Sequence, residues 1–210
     1  MQKEISNFVF DFGAVLFEWD PAVRVEKHFE GEWFGFNNAT ELAKNIFGHP
    51  TWHGFDQGVR SMDSVIESTS KRLGIEVDQL TKLIEPIGED LAPIASSLKI
   101  LEELRIRKQE KPSYRLFFLS NMPEPYARVL ERKHHFLGWF DGGIFSADVK
   151  LAKPDLKIYK LLADRCDLDP RETLFIDDQL LNIQAAEELG WRGLHLQSPS
   201  LFAEKIKQFL

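Results

Sequence analysis

Six polar residues of this chain follow short apolar runs, and their types are ones that do chemistry. Asp11 follows "NFVF" directly, Ser120 and Asn121 close "YRLFFLSN", Lys153 comes after "GGIFSADVKLA" with Pro154 behind it, and Asp177 and Asp178 follow "TLFI". Carboxylates, a hydroxyl beside an amide, and an ammonium together suit phosphoryl transfer. An aspartate can attack phosphorus and form an aspartyl-phosphate, which splits one hard step into two. Charge on the equatorial oxygens of the transferring group is met by a lysine, a hydroxyl, backbone N–H groups and a metal. Clustered carboxylates repel one another, and magnesium, which takes oxygen ligands and bridges protein to phosphate, relieves that repulsion. Taken singly, each residue has an ordinary explanation. Asp after a strand makes a turn, Ser-Asn is turn chemistry, Asp-Asp caps a helix, and Lys153 is a solvated charge in an extended pre-proline segment. Their recurrence at successive run ends is what points to a single site.

A parallel sheet is the element that gathers strand ends in this way, because its ligands bind beyond the carboxyl edge. The runs "NFVFDF", "YRLFFLSN", "GGIFSAD", "TLFIDD" and "RGLHL" do not alternate between apolar and polar, so they read as strands buried on both faces. Between them "EPYARVLERKHHFL", "PDLKIYKLLADRC", "LLNIQAAEELG" and "LFAEKIKQFL" read as helices, the third stopped by Gly190. This alternation predicts an α/β fold, a Rossmann-like doubly wound and mostly parallel sheet. From Phe17 to about Ile87 no buried strand is readable. "ATELAKNIFG", "SMDSVIESTSKRLG" (with Ser61 or Asp63 as cap) and "DQLTKLIEPIG" read as short helices, and "APIASSLKILEELRIRKQ" returns the chain to the core. The expected division is a core of residues 1–16 and 90–210 with a helical cap, 17–89, inserted after the first strand.

Composition bounds the partners. The chain has 210 residues, 43% of them hydrophobic, enough for a packed core. A formal net charge of -7 disfavours nucleic acid and anionic membrane surfaces. Cys166 is the single cysteine, so no intrachain disulfide forms. The amino-terminal "MQKEISNFVF" has no signal-peptide pattern, and no apolar run approaches membrane-spanning length. A soluble, cytoplasmic protein is expected, and the oligomeric state is left open.

In these motifs and their order the chain resembles the haloacid dehalogenase superfamily of hydrolases over nearly its whole length. It is most similar there to small bacterial sugar-phosphate phosphatases whose first motif reads Asp-x-Gly. The resemblance implies that Asp11 in "FVFDFG" is the nucleophile and a magnesium ligand, and that the backbone carbonyl of Gly13 is another. It implies that Ser120, helped by Asn121, holds phosphoryl oxygens and that Lys153 in "KPD" neutralises nucleophile and phosphoryl group. Asp178 is the implied late metal ligand, Asp177 a supporting acid, and Asn182 the orienting group for a metal-bound water. Lys150, without a following proline, is the weaker candidate for the cation. The implied activity is magnesium-dependent hydrolysis of a small phosphorylated metabolite such as a hexose 1-phosphate.

The departure from the family pattern is Gly13, where most family phosphatases carry a second aspartate. That acid protonates the leaving oxygen and then activates water, help typically worth about 100- to 10,000-fold. Its loss predicts slow turnover or a demand for good leaving groups. Glu18 and Asp20 stand nearby as substitutes. In the cap, "HPTWHGFDQGVRSMD" reads as a loop or helix end in which Trp52, His53, Phe55 and Asp56 suit a sugar face and Arg60 an anion, although core packing is the stronger reading of Trp52 and Phe55. His134 and His135 are expected to pack in a helix or face solvent. Two other functions share these residues. One is a 2-haloacid dehalogenase, whose relatives also lack the second acid but carry Tyr, Gly and Thr in the first motif where this chain has "DFGAV". The other is a catalytically impaired phospho-ligand binder.

Overall fold

The structure, a computed structural model, describes residues 3–210. Five parallel strands, β1 (Asn7–Phe10), β2 (Arg115–Ser120), β3 (Gly142–Phe145), β4 (Thr173–Asp177) and β5 (Arg192–His195), form one sheet in the order β3-β2-β1-β4-β5. This is the predicted Rossmann-like α/β fold. β1 lies centrally with β2 and β4 at its sides, so the chain reverses its winding direction there and leaves a crevice at the carboxyl edge.

Both faces of the sheet are covered, which explains the unbroken apolar runs. On β1, Phe8 and Phe10 enter one buried layer with Leu101, Leu174, Ile176 and Phe202. Val9, between them, enters the opposite layer with Phe117, Tyr159, Phe175 and Ile183. The period-two alternation of side chains is intact, but each side meets core instead of water.

The helices follow in chain order. α1 (Pro21–Phe29), α2 (Ala39–Phe47), α3 (Pro50–Asp56), α4 (Met62–Leu73), α5 (Val77–Ile84) and α6 (Ile87–Asp90) all lie between β1 and β2. α7 (Ala95–Glu110) then returns to the sheet, burying Ser97, Ile100, Leu101 and Leu104 along one helical stripe. α8 (Glu124–Lys133), α9 (Ser146–Val149), α10 (Leu156–Cys166), α11 (Leu180–Glu188) and α12 (Phe202–Lys205) complete the covering layers. No helix among the described residues is long and apolar enough to cross a membrane.

Three local expectations change. The segment read as a loop or helix end at Pro50 is the helix α3, opened by Pro50 in its first turn and by His49, whose Nδ1 accepts from the Thr51 N–H at 3.1 Å. The carboxyl-terminal helix is broken: 3-10 turns Pro199–Leu201 and Ile206–Phe209 flank a single α turn, anchored by buried Phe202 and Ile206. His134 and His135 lie beyond the end of α8. The ring of His134 packs on Phe17 and Phe136, while His135 is exposed. Of the two caps read for α4, Ser61 is the one used, accepting from the Ser64 N–H at 3.2 Å.

Candidate active site

Strand register brings the chemistry-bearing residues together. Phe10 pairs with Phe118 on one side and Ile176 on the other, and the Asp11 N–H continues the ladder to the Ile176 carbonyl at 2.9 Å. Asp11 is thereby held abreast of Asp177, with Ser120 at the end of β2 one strand away. Lys153 arrives from the loop between α9 and α10. Its backbone N–H donates to Asn121 Oδ1 at 2.8 Å, and Asn121 Nδ2 donates back to the Lys153 carbonyl at 3.0 Å. This reciprocal pair fixes the lysine loop to the end of β2.

The lysine side chain is buried and lies between two acids, Nζ 2.9 Å from Asp11 Oδ1 and 2.6 Å from Asp177 Oδ2. Asp177 is fully committed. Its Oδ1 accepts from the Gln179 N–H at 2.7 Å, and Asn182 Nδ2 reaches its two oxygens at 3.0 and 3.1 Å. Tyr159 in turn donates to the Asn182 carbonyl at 3.0 Å. Asp177 thus faces the interior and orients Lys153, whereas Asp178 borders the cavity. The Asp178 carbonyl accepts from His195 Nε2 at 2.9 Å when that nitrogen carries the proton, which ties the loop to β5.

The electrostatics are those of crowded carboxylates. Burial pushes Asp11 up to about 7, with Lys153 pulling against it and Asp177 and Asp178 adding to it. Asp178 is raised by burial and then by Asp177. Burial pulls Lys153 down, but Asp11 and Asp177 outweigh it and the net direction is upward. Oxygens of Asp11, Asp177 and Asp178 lie within 4.8 Å of one another, three carboxylates against one ammonium. Such a hard-oxygen set, short of positive charge, fits a divalent cation of the magnesium type. Asp11, with one oxygen on Lys153, and Asp178, with one oxygen accepting from Gln179 Nε2 at 2.5 Å, each keep a second oxygen for it. The Gly13 carbonyl, which accepts no hydrogen bond among the described residues, is free for it as well. The Ser120 hydroxyl likewise has no protein partner among the described residues and faces the cavity.

That cavity has a volume of about 330 Å³ and is floored by Asp11, Gly13, Ser120, Lys153, Asp178 and Asn182. The helical segment supplies its roof. Trp19, Phe47 and Trp52 stack edge to face with ring centroids 5.4 and 4.6 Å apart, and Ile87 and Leu91 extend the apolar wall. Trp52 is buried and also lines the cavity, whereas Phe55 is buried and packs behind it on Tyr126. The packing role read for both residues therefore holds, and Trp52 adds a second one.

Several sequence-read candidates lie elsewhere. Arg60 lies outside the cavity, its stem against Gly54. Asp20 caps α1, accepting from the Val23 N–H at 3.0 Å, and with Glu18 it borders a separate groove. Neither stands at the Asp11 cavity, so neither replaces the acid absent at Gly13. Lys150 donates to the Gly58 carbonyl at 2.6 Å and holds the helical segment to the core. Asn182 spends its amide N–H groups on Asp177. Asp56, read from sequence only as part of a sugar face, lines the same cavity as Asp11. Its only sequence signal is its proximity to Trp52 and His53.

The comparisons agree with this architecture. The family model for haloacid dehalogenase-like hydrolases matches residues 15–190. A sesquiterpene phosphatase of Aspergillus oryzae is 27% identical over 202 residues, covering 96% of this chain and 95% of its own. A phosphorylated carbohydrates phosphatase of Thermotoga maritima is 22% identical, covering 87% of this chain and 80% of its own. Among solved structures, a haloacid dehalogenase family enzyme of Bacteroides thetaiotaomicron in complex with magnesium and inorganic phosphate superimposes with a TM-score of 0.67 at 20% identity, over 90% of this chain and 93% of that one. With an aspartate at the end of β1, a lysine between two acids and a carboxylate cluster at one sheet edge, this chain belongs to the haloacid dehalogenase-like hydrolases.

Proposed function

We propose that this hydrolase is a magnesium-dependent phosphatase of a small phosphate monoester and acts through an aspartyl-phosphate on Asp11. The observation that carries this reading is the Asp11–Lys153–Asp177 arrangement, which leaves one Asp11 carboxylate oxygen outside the ion pair, in a cavity that the unpartnered Ser120 hydroxyl also lines. Asp11 attacks phosphorus and the ester P–O bond breaks. Ser120 and the second Asn121 amide N–H hold phosphoryl oxygens, while Lys153 balances the charge of nucleophile and phosphoryl group. Water then cleaves the acyl phosphate, returning Asp11 and inorganic phosphate. The metal would be held by Asp11, Asp178 and the Gly13 carbonyl, and it supplies charge stabilisation at the phosphoryl oxygens. Asp177 positions Lys153, and Asn182 positions Asp177. Residues 17–89 serve as the cap that shields the acyl phosphate. The Bacteroides enzyme's magnesium and phosphate and the two relatives named as phosphatases support the same reading.

The substrate's alcohol portion meets the apolar roof. A hexose 1-phosphate offers a leaving oxygen more acidic than that of a simple alkyl phosphate, though a poorer leaving group than para-nitrophenolate. A second reading is favoured by the roof itself. Trp19, Ile87 and Leu91 border both this cavity and an adjoining groove of about 760 Å³, so a phosphorylated apolar alcohol could run from one into the other. The Aspergillus relative's name agrees with that option.

The test is phosphate release from para-nitrophenyl phosphate, a set of sugar phosphates and a prenyl monophosphate, with magnesium and with EDTA. Magnesium-dependent release is expected. Chloride release from a 2-haloacid in EDTA would instead assign a dehalogenase, and saturable phosphate-ester binding without release would assign a binder. Independently of turnover, magnesium at about 100 times its dissociation constant stabilises by about 2.7 kcal/mol, which for a domain of this size raises Tm by roughly 5–10 °C. Calorimetry with magnesium against EDTA reads that shift, and its absence would remove the metal from the proposal.

A further inference from the structure

We propose that the general acid and base missing at Gly13 is supplied from the helical segment by Asp56. This inference rests on the phosphatase reading above. Asp56 is the last residue of α3 and lines the same cavity as Asp11, Ser120 and Lys153. Its placement is fixed by a clasp between the helical segment and the sheet. Ser146 Oγ accepts from the Met122 N–H at 2.9 Å and donates to the Asp56 carbonyl. Lys150 Nζ donates to the Gly58 carbonyl at 2.6 Å, and Gln57 Nε2 donates to the Lys150 carbonyl at 2.8 Å. The loop that follows Ser120 is therefore tied through one hydroxyl to the backbone of Asp56. Gly58 makes the close approach possible: its φ is +69°, and a Cβ there would fall 2.8 Å from the Ala147 carbonyl oxygen. An acid held this way keeps its place relative to the phosphoryl site, as a group on a loose lid would not.

The surroundings suit a proton carrier. Burial, and then the nearby Asp11 charge, raise the Asp56 carboxyl well above the usual carboxylate range, with the Trp52 indole and Lys153 pulling the other way. No other carboxylate of the helical segment lines this cavity. A side chain at Gly13 is not excluded by the backbone, since a Cβ there would meet Trp19 at an ordinary 3.5 Å. The backbone at position 13 thus admits a Cβ, yet the chain carries no acid there and carries one at Asp56, in the lining of the same cavity.

The chemistry balances. As Asp11 attacks phosphorus and the P–O bond to the alcohol breaks, the Asp56 carboxyl gives its proton to the departing oxygen. The Asp56 carboxylate then takes a proton from water as that water attacks the acyl phosphate. The bond to Asp11 breaks, inorganic phosphate leaves, and Asp56 is again protonated.

The experiment compares wild type, Asp56→Asn and Asp56→Ser on para-nitrophenyl phosphate and on the best alkyl or sugar phosphate, with folding checked by melting. An acid matters most where the leaving group is poor, so kcat/KM on the alkyl or sugar ester should fall about 100- to 10,000-fold, and on para-nitrophenyl phosphate much less. Adding Gly13→Asp to Asp56→Asn should restore part of the lost rate on the poor ester. An equal loss on both esters, or no loss in a folded variant, overturns the role. A selective loss in His53→Gln and not in Asp56→Asn would assign the acid to His53, which also lines the cavity. If wild type releases phosphate from no ester, the phosphatase reading fails and takes this one with it. If wild type is active and the Asp56 variants keep its leaving-group dependence, this proposal alone fails.

Discussion

Asp11→Asn lowers phosphate release by about 10⁴-fold or more and leaves the protein folded. The amide keeps the shape of the carboxylate but has no charged oxygen with which to attack phosphorus. Stability should hold or rise in metal-free protein, for a reason specific to this site. Asp11 has its folded-state pKa pushed up to about 7 from an ordinary value of 3.8, so its ionisation is disfavoured in the fold. The sign follows from linkage. A carboxyl whose folded pKa is raised binds more protons folded than unfolded, so its contribution to stability falls as pH rises from about 4 towards about 7. The Asn variant lacks that slope and should also lose most of the magnesium-induced rise in Tm. Denaturation of metal-free wild type and variant at pH 4.5 and 7.5 checks the slope, and a phosphate-release assay checks the rate. Near-normal release by the purified variant would remove Asp11 as the nucleophile.

The parts of this protein that were readable from sequence are those governed by local pattern. The central strands β1, β2 and β4 are short apolar runs because each sheet face meets core there, and the polar residue ending each run falls at the carboxyl edge once the strands are parallel. Asp11, Ser120, Lys153 and Asp178 could be placed in this way. Which of two adjacent acids turns inward could not. Asp177 is the buried one because Lys153, from the loop before α10, and the Gln179 N–H and Asn182 amide, from the start of α11, converge on it. Asn182 and Asn121 look like free amides in sequence and prove to be braces. α1 and α3 were missed because both are short and open on proline, and α3 carries a glycine inside it. Asp56 was invisible as an acid for the same reason. Its place in the lining of the Asp11 cavity depends on a clasp of Ser146, Lys150 and Gly58 that no periodicity announces. Conversely, the carboxyl-terminal "LFAEKIKQFL" has helical spacing at Phe202 and Ile206, yet tighter turns satisfy that burial equally well in so short a piece.

Lys153→Met should be the most destabilising single change at the site as well as one of the most inactivating. The side chain is buried, and its ammonium is 2.6 Å from Asp177 and 2.9 Å from Asp11. Methionine preserves the stem and can pack against Phe175, whose ring centre lies 5.3 Å from Nζ. It leaves two buried carboxylates without their cation. Removing one partner of a buried ion pair typically costs about 3–5 kcal/mol, much of it the penalty on the charge left behind. Protonating Asp11, which burial pushes up to about 7, relieves part of that penalty, so the deficit should shrink as pH falls from 7.5 to 5. Saturating magnesium should also reduce it by supplying charge at Asp11. In wild type the linkage runs the other way at high pH. Lys153 has a folded pKa raised above 10.5, so its contribution is complete below the unfolded value and is lost as pH rises through the folded one. Turnover should fall by about 10²- to 10³-fold, the usual effect of deleting one preorganised donor to a developing charge. Arginine should not rescue it, because the planar guanidinium cannot occupy a slot built for a compact ammonium held between two carboxylates. Urea denaturation of Lys153→Met at both pH values, with and without magnesium, separates the charge effect from packing. A deficit that ignores both pH and magnesium would mean that the lysine stem, and not its ammonium, is what the fold requires.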